Sequence, residues 1–535
     1  MVVRVLHDIL AAAAAACPEK TAVLHKDDSW TYGGIRSDCG KLADILAANG
    51  VRRGDRVAFY MEKRIEKVVA IFGISEAGGV FVPVRWQNLG PQVAHIVADS
   101  GTALLITTYA RLSLLAEALK DMPTLKTVIA IGKPEEAKGA ALPGVNVLDW
   151  TASMAHASKA AALPRVVEPD LAAILYTSGS TGKPKGVVLS HLNIVSGARI
   201  VSEFLTLTEN DRLLSILTFG FDYGLNQLTT AFLNRAQIVL MEYLFPRDIV
   251  SAAKKHAVTG IAHVAAGWNL LVDVPSLNQE TLPSLRYITN SGGAIPEVNV
   301  RRLRQLIPRT SIFLMYGLTE AFRSTFLDPA LVDTHPTSMG KAIPGEEILI
   351  VDEHGKAVPP GGTGELVHRG VLVAQGYWNA PDLTAIRYKR NPLQPPEVPV
   401  PEMAVFSGDQ VRIDAEGLLY FVGRKDEMIK VSGNRISPTE VEELLHTSGL
   451  ARDAMALGVP HEVYGQTVYV VVVPAEGRAG LDATAVIDAC KKAMPAYMVP
   501  QQVEIRESLP RNANGKVDRA LIKKQVFEKL ALPSK

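Results

Sequence analysis

A chain of 535 residues is too long for one simple core, and 47% hydrophobic with 21% charged residues is the composition of an ordinary globular protein. The 56 Lys and Arg against 55 Asp and Glu leave a formal charge of +1, which gives no electrostatic footprint for nucleic acid or an anionic membrane, though a local basic patch for a phosphate-bearing ligand stays open. Cys17, Cys39 and Cys490 are scattered without CxxC spacing, which argues against a disulfide scaffold or zinc site and fits a reducing compartment.

From the start, Arg4, His7 and Asp8 interrupt the apolar stretch over residues 1–17, while Leu6, Ile9, Leu10 and Ala13 recur at helical spacing. This predicts a surface helix with one face turned inward. No other segment approaches the length of a membrane span, so the expectation is a cytoplasmic protein without membrane insertion. Val57–Tyr60 reads as a strand before a helix over Ile65–Ala77, and Ala103–Ile106 and Thr127–Ala130 read as buried strands. Such alternation predicts an α/β class with largely parallel sheets, and no solenoid-like repeat is apparent. Leu171–Leu175 is strand-like and precedes a Gly- and Ser-rich loop. The Pro-rich stretch Pro392–Pro401 predicts a surface loop, and Phe406–Gly433 is charged and glycine-rich. Beyond it come a helix over Pro438–Leu445, a strand over Val468–Val473 and a helix over Ala483–Ala493.

The loop reads Tyr176-Thr177-Ser178-Gly179-Ser180-Thr181-Gly182-Lys183-Pro184-Lys185-Gly186. Small hydroxyl and glycine residues let backbone N–H groups crowd around phosphate oxygens, and Lys185 adds charge. Lys183 is followed by Pro184, so this is neither the Gly-Lys-Ser/Thr ending of a Walker loop nor a dinucleotide GxGxxG turn. A flexible Gly/Ser linker is the plain alternative, and the order of residues is too particular for it.

This loop resembles the phosphate loop of the adenylate-forming superfamily, which comprises acyl-CoA synthetases, peptide-synthetase adenylation domains and firefly-type luciferases. Four further segments resemble the family's motifs in the family's order. Tyr316-Gly317-Leu318-Thr319-Glu320 is similar to the adenine and metal segment; Ser407-Gly408-Asp409 is similar to the ribose-binding turn, with Ser407 where Thr is usual. Gly423-Arg424-Lys425-Asp426, then Lys430, Gly433 and Glu440, resembles the hinge and thiolation segment. Pro510-Arg511 through Gly515-Lys516 to Arg519 resembles the terminal catalytic-lysine motif.

The resemblance implies a large N-terminal domain of layered sheets and helices over residues 1–424, and a small mobile C-terminal α+β domain over 425–535. It implies ATP and Mg²⁺, a carboxylic acid attacking the α-phosphorus, and transfer of the acyl group to the thiol of CoA or a phosphopantetheine. Lys516 would bridge the carboxylate and α-phosphate, with Thr319 on the α-phosphate and Glu320 on Mg²⁺. Thr177, Ser178, Gly179, Ser180, Thr181, Gly182 and Lys185 would hold the outer phosphates. Gly292, Gly293, Ala294, Tyr316, Gly317, Asp409 and Arg424 would line the adenosine site. Asp426 would be the hinge, Lys430 would serve after rotation, and Gly433 would line the thiol channel. Taken singly, each has a plain reading: Lys516 a solvated turn lysine, Asp409 and Glu320 caps or surface acids, Arg424 an ion-pair partner. Those readings require five coincidences in the right order.

By the same register the acyl pocket involves Phe221, Asp222, Asn226, His263, Thr289, Ser291, Met315 and Arg323. Asp222 stands where amino-acid adenylation domains pair an aspartate with the substrate ammonium. Arg323 could neutralise Asp222 internally or bind a second carboxylate of a diacid, and all three readings stay open. Phe221–Leu228 also resembles the AMP-forming ligases grouped with bacterial exosortase A systems. No Ser-bearing carrier domain follows Lys516, so a carrier protein is expected as a separate polypeptide. Two other functions compete: an adenylate-forming enzyme with a non-thiol acceptor, and a silent nucleotide-binding homologue.

Overall fold

The computed structural model describes residues 2–532 apart from 121, 161, 178–183, 426, 432, 433, 462, 463, 479, 495, 513 and 514. Strands covered by helices on both faces must be apolar throughout, and the inner parallel strands of the first sheet are buried accordingly, while the edge strand Asn146–Asp149 is partly exposed. Its seven strands run in the order Asn146–Asp149, Thr127–Ile131, Leu104–Thr108, Arg56–Tyr60, Val80–Val84, Leu171–Thr177, Lys185–Ser190. All neighbours are parallel except the last pair, an antiparallel hairpin. The crossover helix Ile65–Glu76 ends one residue before the expected Ala77, because Gly78 turns the chain at φ +77°.

A second sheet of nine strands centres on six parallel ones: Ser311–Tyr316, Tyr287–Asn290, Gly260–His263, Arg212–Ser215, Gln237–Leu240 and Thr21–His25. The helix Leu6–Ala16 buries Leu6, Ile9, Leu10, Ala13 and Ala14, the face its spacing predicted. One continuous core joins it to both sheets. A third, antiparallel sheet comprises Glu347–Val351, Thr363–Arg369, Tyr388–Arg390, Met403–Ile413 and Leu419–Arg424. The Pro392–Pro401 stretch is an exposed connection on it.

The expected turn Ser407-Gly408-Asp409 is a bulge inside the strand Met403–Ile413. Val367 pairs with Phe406 and Glu365 with Gln410, so three residues oppose Leu366 alone. Gly408 takes φ +73°, and Ser407 Oγ donates to the Leu366 carbonyl at 2.7 Å. The extra residues re-aim Asp409 out of the strand's alternation.

Residues beyond Arg424 build a separate five-stranded sheet from Ile429–Val431, Asn434–Ile436, Ala451–His461, Gly465–Pro474 and Gln502–Ile505. Its central strand alternates: Val468, Val470 and Val472 pack with Val441, Leu445 and Cys490, while Tyr469, Val471 and Val473 pack with Ile522 and Val526. That period of two is why the strand was legible. The helix Ala483–Ala493 matches its expected bounds, and Pro438–Thr447 runs two residues further than expected. The protein is therefore α/β, with a large N-terminal part and a small C-terminal α+β part. Among the described residues no helix is long and apolar enough to cross a membrane.

Candidate active site

The carboxyl ends of parallel strands are where α/β sheets bind ligands, and the expected residues gather there. Ser311–Tyr316 delivers Tyr316, whose hydroxyl donates to Asp409 Oδ2 at 2.6 Å. Arg424, across the ladder from Asp409, stands 3.5 Å from its Oδ1. Burial raises the Asp409 pKa, and Arg424 and Tyr316 pull against that rise. A buried carboxylate so supported presents acceptor oxygens to a diol.

Lys516 reaches the same region from the C-terminal sheet's side. Its turn is closed by hydrogen bonds from Asn512 N to the Lys516 carbonyl at 2.7 Å and from Gly515 N to the Asn512 carbonyl at 2.8 Å. The side chain passes beside Gly292, where a Cβ would lie 2.6 Å from Lys516 Cε. Gly292 also has φ +83°, so both space and backbone call for glycine. The ammonium sits 5.8 Å from the centre of the Phe221 ring. Burial lowers its pKa, and the fields of Asp222 and Asp409 oppose that.

Asp222 opens the helix Asp222–Leu233 and is 2% exposed. Its Oδ1 accepts from Thr319 Oγ1 at 2.8 Å. Burial raises the Asp222 pKa against the pull of Arg323, Thr319 and Lys516. Arg85, at the end of the strand Val80–Val84, belongs to this cluster and was missed in the sequence. Its burial lowers its pKa to about 10, with Asp222 opposing. The position of Arg85 after a fully buried strand was the available signal.

Gly224 keeps this helix start close to the preceding loop: a Cβ there would lie 2.2 Å from the Thr218 carbonyl oxygen, and backbone cannot swing aside. Gly224→Ala is expected to lose about 1–3 kcal/mol, the usual range for overpacking. Urea denaturation checks this; an unchanged midpoint would contradict the packing described.

On the phosphate side Lys185 lies 4.7 Å from the centre of the Tyr377 ring. Burial lowers its pKa, with Glu320 opposing. The Tyr377 hydroxyl donates to Glu320 Oε1, a contact the sequence did not suggest. One carboxylate beside a phosphate site fits Mg²⁺, which keeps several waters and takes its remaining ligands from phosphates. Thr177 pairs with Lys185 as the last pair of the hairpin before residue 178. Ser178, Gly179, Ser180, Thr181, Gly182, Asp426 and Gly433 lie outside the described residues, as does the Lys430 side chain. Gly292, Gly293 and Ala294 follow the strand Tyr287–Asn290, and Asn290 Nδ2 donates to the Gly293 carbonyl at 2.8 Å.

The expected acyl residues divide between two cavities. Asn226, Thr289, Met315 and Arg323 line a small one of about 20 Å³. Phe221 and His263 line another of about 330 Å³, which also touches Arg511 and Gly515 of the C-terminal part. Ser291 Oγ accepts from Arg323 Nη1 at 3.0 Å. Phe221 and His263 thus stand apart from Asn226, Thr289, Met315 and Arg323. The His263 ring packs against Gly267, where a Cβ would lie 1.9 Å away, and its Nε2 is 3.1 Å from the Tyr243 hydroxyl.

Burial lowers the His263 pKa to about 4. The unfolded imidazole binds a proton below about 6.5, whereas the folded one resists until about 4, so this residue's contribution to stability is lost as pH falls through that window. The loss amounts to at most about 3 kcal/mol. His263→Gln should flatten the decline of Tm between pH 6.5 and 4; parallel curves for the two proteins would contradict it.

The AMP-binding enzyme model matches residues 10–378, and the AMP-binding enzyme C-terminal domain model matches 440–516. The chain is 31% identical to the L-proline--[L-prolyl-carrier protein] ligase of Streptomyces coelicolor over 92% of its own length and 91% of that protein's. It is 30% identical to the indoleacetate--CoA ligase of Aromatoleum aromaticum, with 96% of each covered. It spans only 8–13% of the length of three synthases that it matches at 29–30% identity, among them tyrocidine synthase 3 of Brevibacillus parabrevis. Its fold is that of the anthranilate CoA ligase AuaEII crystallised with anthranoyl-AMP, at TM-score 0.87, and of ATP-bound MatB from Rhodopseudomonas palustris, at 0.84; identities are 23–24% and at least 98% of each chain is covered. A family model running through most of the chain, and relatives matched almost end to end, leave one conclusion: the chain belongs to the adenylate-forming AMP-binding enzymes.

Proposed function

We propose that this protein is an ATP-dependent, AMP-forming acid–thiol ligase. The observation that carries the reading is Lys516, brought by the C-terminal part into the notch at Gly292, within the fields of both Asp222 and Asp409. A carboxylate oxygen attacks the α-phosphorus of ATP, the bond to the bridging oxygen breaks, and pyrophosphate leaves. Two anions must meet, so the chain's task is positioning and charge stabilisation. Lys516 offsets charge on the α-phosphate, Asp409 orients the ribose, and Lys185 and the 177–182 loop hold the departing phosphates. Glu320 would hold Mg²⁺, which neutralises phosphate charge when bound.

In the second half-reaction a thiol attacks the acyl carbonyl carbon, its proton is lost, and AMP departs. We assign residues 1–424 and 425–535 to two domains that reorient between the steps about Asp426, with Lys430 and Gly433 then facing the thiol. Separate sheets and cores on either side of Arg424 support this division. The acceptor is CoA or the phosphopantetheine of a separate carrier protein; the two relatives covered end to end name one of each. The free cysteines Cys17, Cys39 and Cys490 fit work in the cytoplasm. Acid-dependent ATP–pyrophosphate exchange, followed by mass analysis of CoA and of a loaded carrier, tests the reading. Release of ADP, or exchange indifferent to any acid, would overturn it.

A further inference from the structure

We infer that the acid activated by this enzyme carries a second carboxylate, and that Arg323 binds it. This rests on the ligase reading above and names the substrate class of that same site.

Arg323 is among the most buried large side chains of the protein, at 1% exposure. Phe322, which precedes it, is fully buried with φ +54°, a costly backbone for a bulky residue. Packing against Gly197, where a Cβ would lie 2.4 Å from the Phe322 ring, holds it there. Arg323 is thereby fixed beneath the site. Its Nη1 donates to Ser291 Oγ at 3.0 Å and its Cζ lies 4.6 Å from the centre of the Tyr223 ring. Its Nε and Nη2 have no hydrogen-bond partner. A buried guanidinium with two idle donors is expensive, and a ligand acceptor is the group that relieves it.

Arg323 lines the cavity of about 20 Å³ together with Asn226, whose buried Nδ2 also lacks a partner. Three unused donors on residues lining one cavity match the acceptor-only oxygens of a carboxylate. Gln227 Oε1 adds one unpartnered acceptor, suited to a hydroxyl or a water. A space that holds little more than one water admits a carboxylate head and excludes a ring. The acid is therefore a dicarboxylic one.

Charge separates this from the ammonium alternative. Asp222 is the carboxylate whose field reaches Arg323, and that field is shared with Lys516 and Arg85. Asp222 also already accepts from Thr319. Once Lys516 engages the reacting phosphate and carboxylate, two guanidinium groups still face Asp222 alone. An ammonium would add another cation to this cluster, whereas a second carboxylate balances it.

The test measures kcat/KM for pyrophosphate exchange with malonate, succinate and glutarate, with propionate, butyrate and valerate as the monoacids of equal carbon number, and with 2-aminobutyrate. A diacid should exceed its matched monoacid by about 10²-fold or more, since a site built to hydrogen-bond a group strongly rejects the analogue lacking it. Arg323→Gln should abolish that ratio through KM for the diacid, with KM for ATP nearly unchanged, and Arg323→Lys should restore part of it. The diacid-to-monoacid ratio is independent of how much variant folds. A lead for 2-aminobutyrate or a monoacid over every diacid would overturn the inference and leave the ligase reading standing. So would a diacid lead that survives Arg323→Gln. Exchange with none of the acids, in a protein that also shows no acid-dependent AMP release across a wider panel, would overturn both.

Discussion

Lys516→Ala should lower acid-dependent adenylation by about 10²–10³, the usual cost of removing one electrostatic stabiliser of a transition state. The side chain occupies a channel defined by Gly292 and the Phe221 ring, and no other described side chain approaches Gly292 as closely. Its loss should appear in kcat for pyrophosphate exchange, with KM for ATP changed little, because the charge acts where negative charge gathers during attack. Thiol transfer from a preformed acyl-adenylate should be affected far less. Full exchange activity in the variant would remove Lys516 from the mechanism.

The second large effect is expected at Asp409. Asp409→Ala removes the carboxylate proposed to hold the ribose and takes from the Tyr316 hydroxyl and the Arg424 guanidinium their shared partner. Hydrogen bonds to a charged group contribute about 1.5–3 kcal/mol each, so KM for ATP should rise on the order of 10². Folding stability should fall by about 1–3 kcal/mol because a partly buried network is broken. Titrating ATP at saturating acid separates this from a pocket effect. A variant whose KM rises for the acid and stays constant for ATP would show that Asp409 does not hold the nucleotide.

Much of this site was legible because its residues sit in short motifs with fixed order. Asp409, Glu320, Lys185 and Lys516 could be named from local sequence alone. Ser407 in place of Thr needs no compensation: its hydroxyl donates to Leu366 and accepts from Asp409 N at 3.0 Å, and no methyl takes part. What escaped depends on distant contacts. Arg85 looked like any charged residue after a strand until the fold set it near Asp222, 137 positions later in the chain by the numbering of the two residues. His263 and Asn226 line different cavities, a division that neither segment reveals locally. The pairing of the Thr319 hydroxyl with Asp222 across 97 residues could not be read from either segment. The bulge at Ser407–Asp409 was mistaken for a turn because glycine with positive φ serves both.

The central claim is that the substrate carboxylate itself attacks the α-phosphorus. Incubating the enzyme with ATP and an accepted acid labelled with heavy oxygen in its carboxylate, then weighing the AMP after acyl transfer, tests it directly. One labelled oxygen in the AMP phosphate and none in pyrophosphate is the expected result; label in inorganic phosphate or pyrophosphate, or unlabelled AMP, would contradict direct attack.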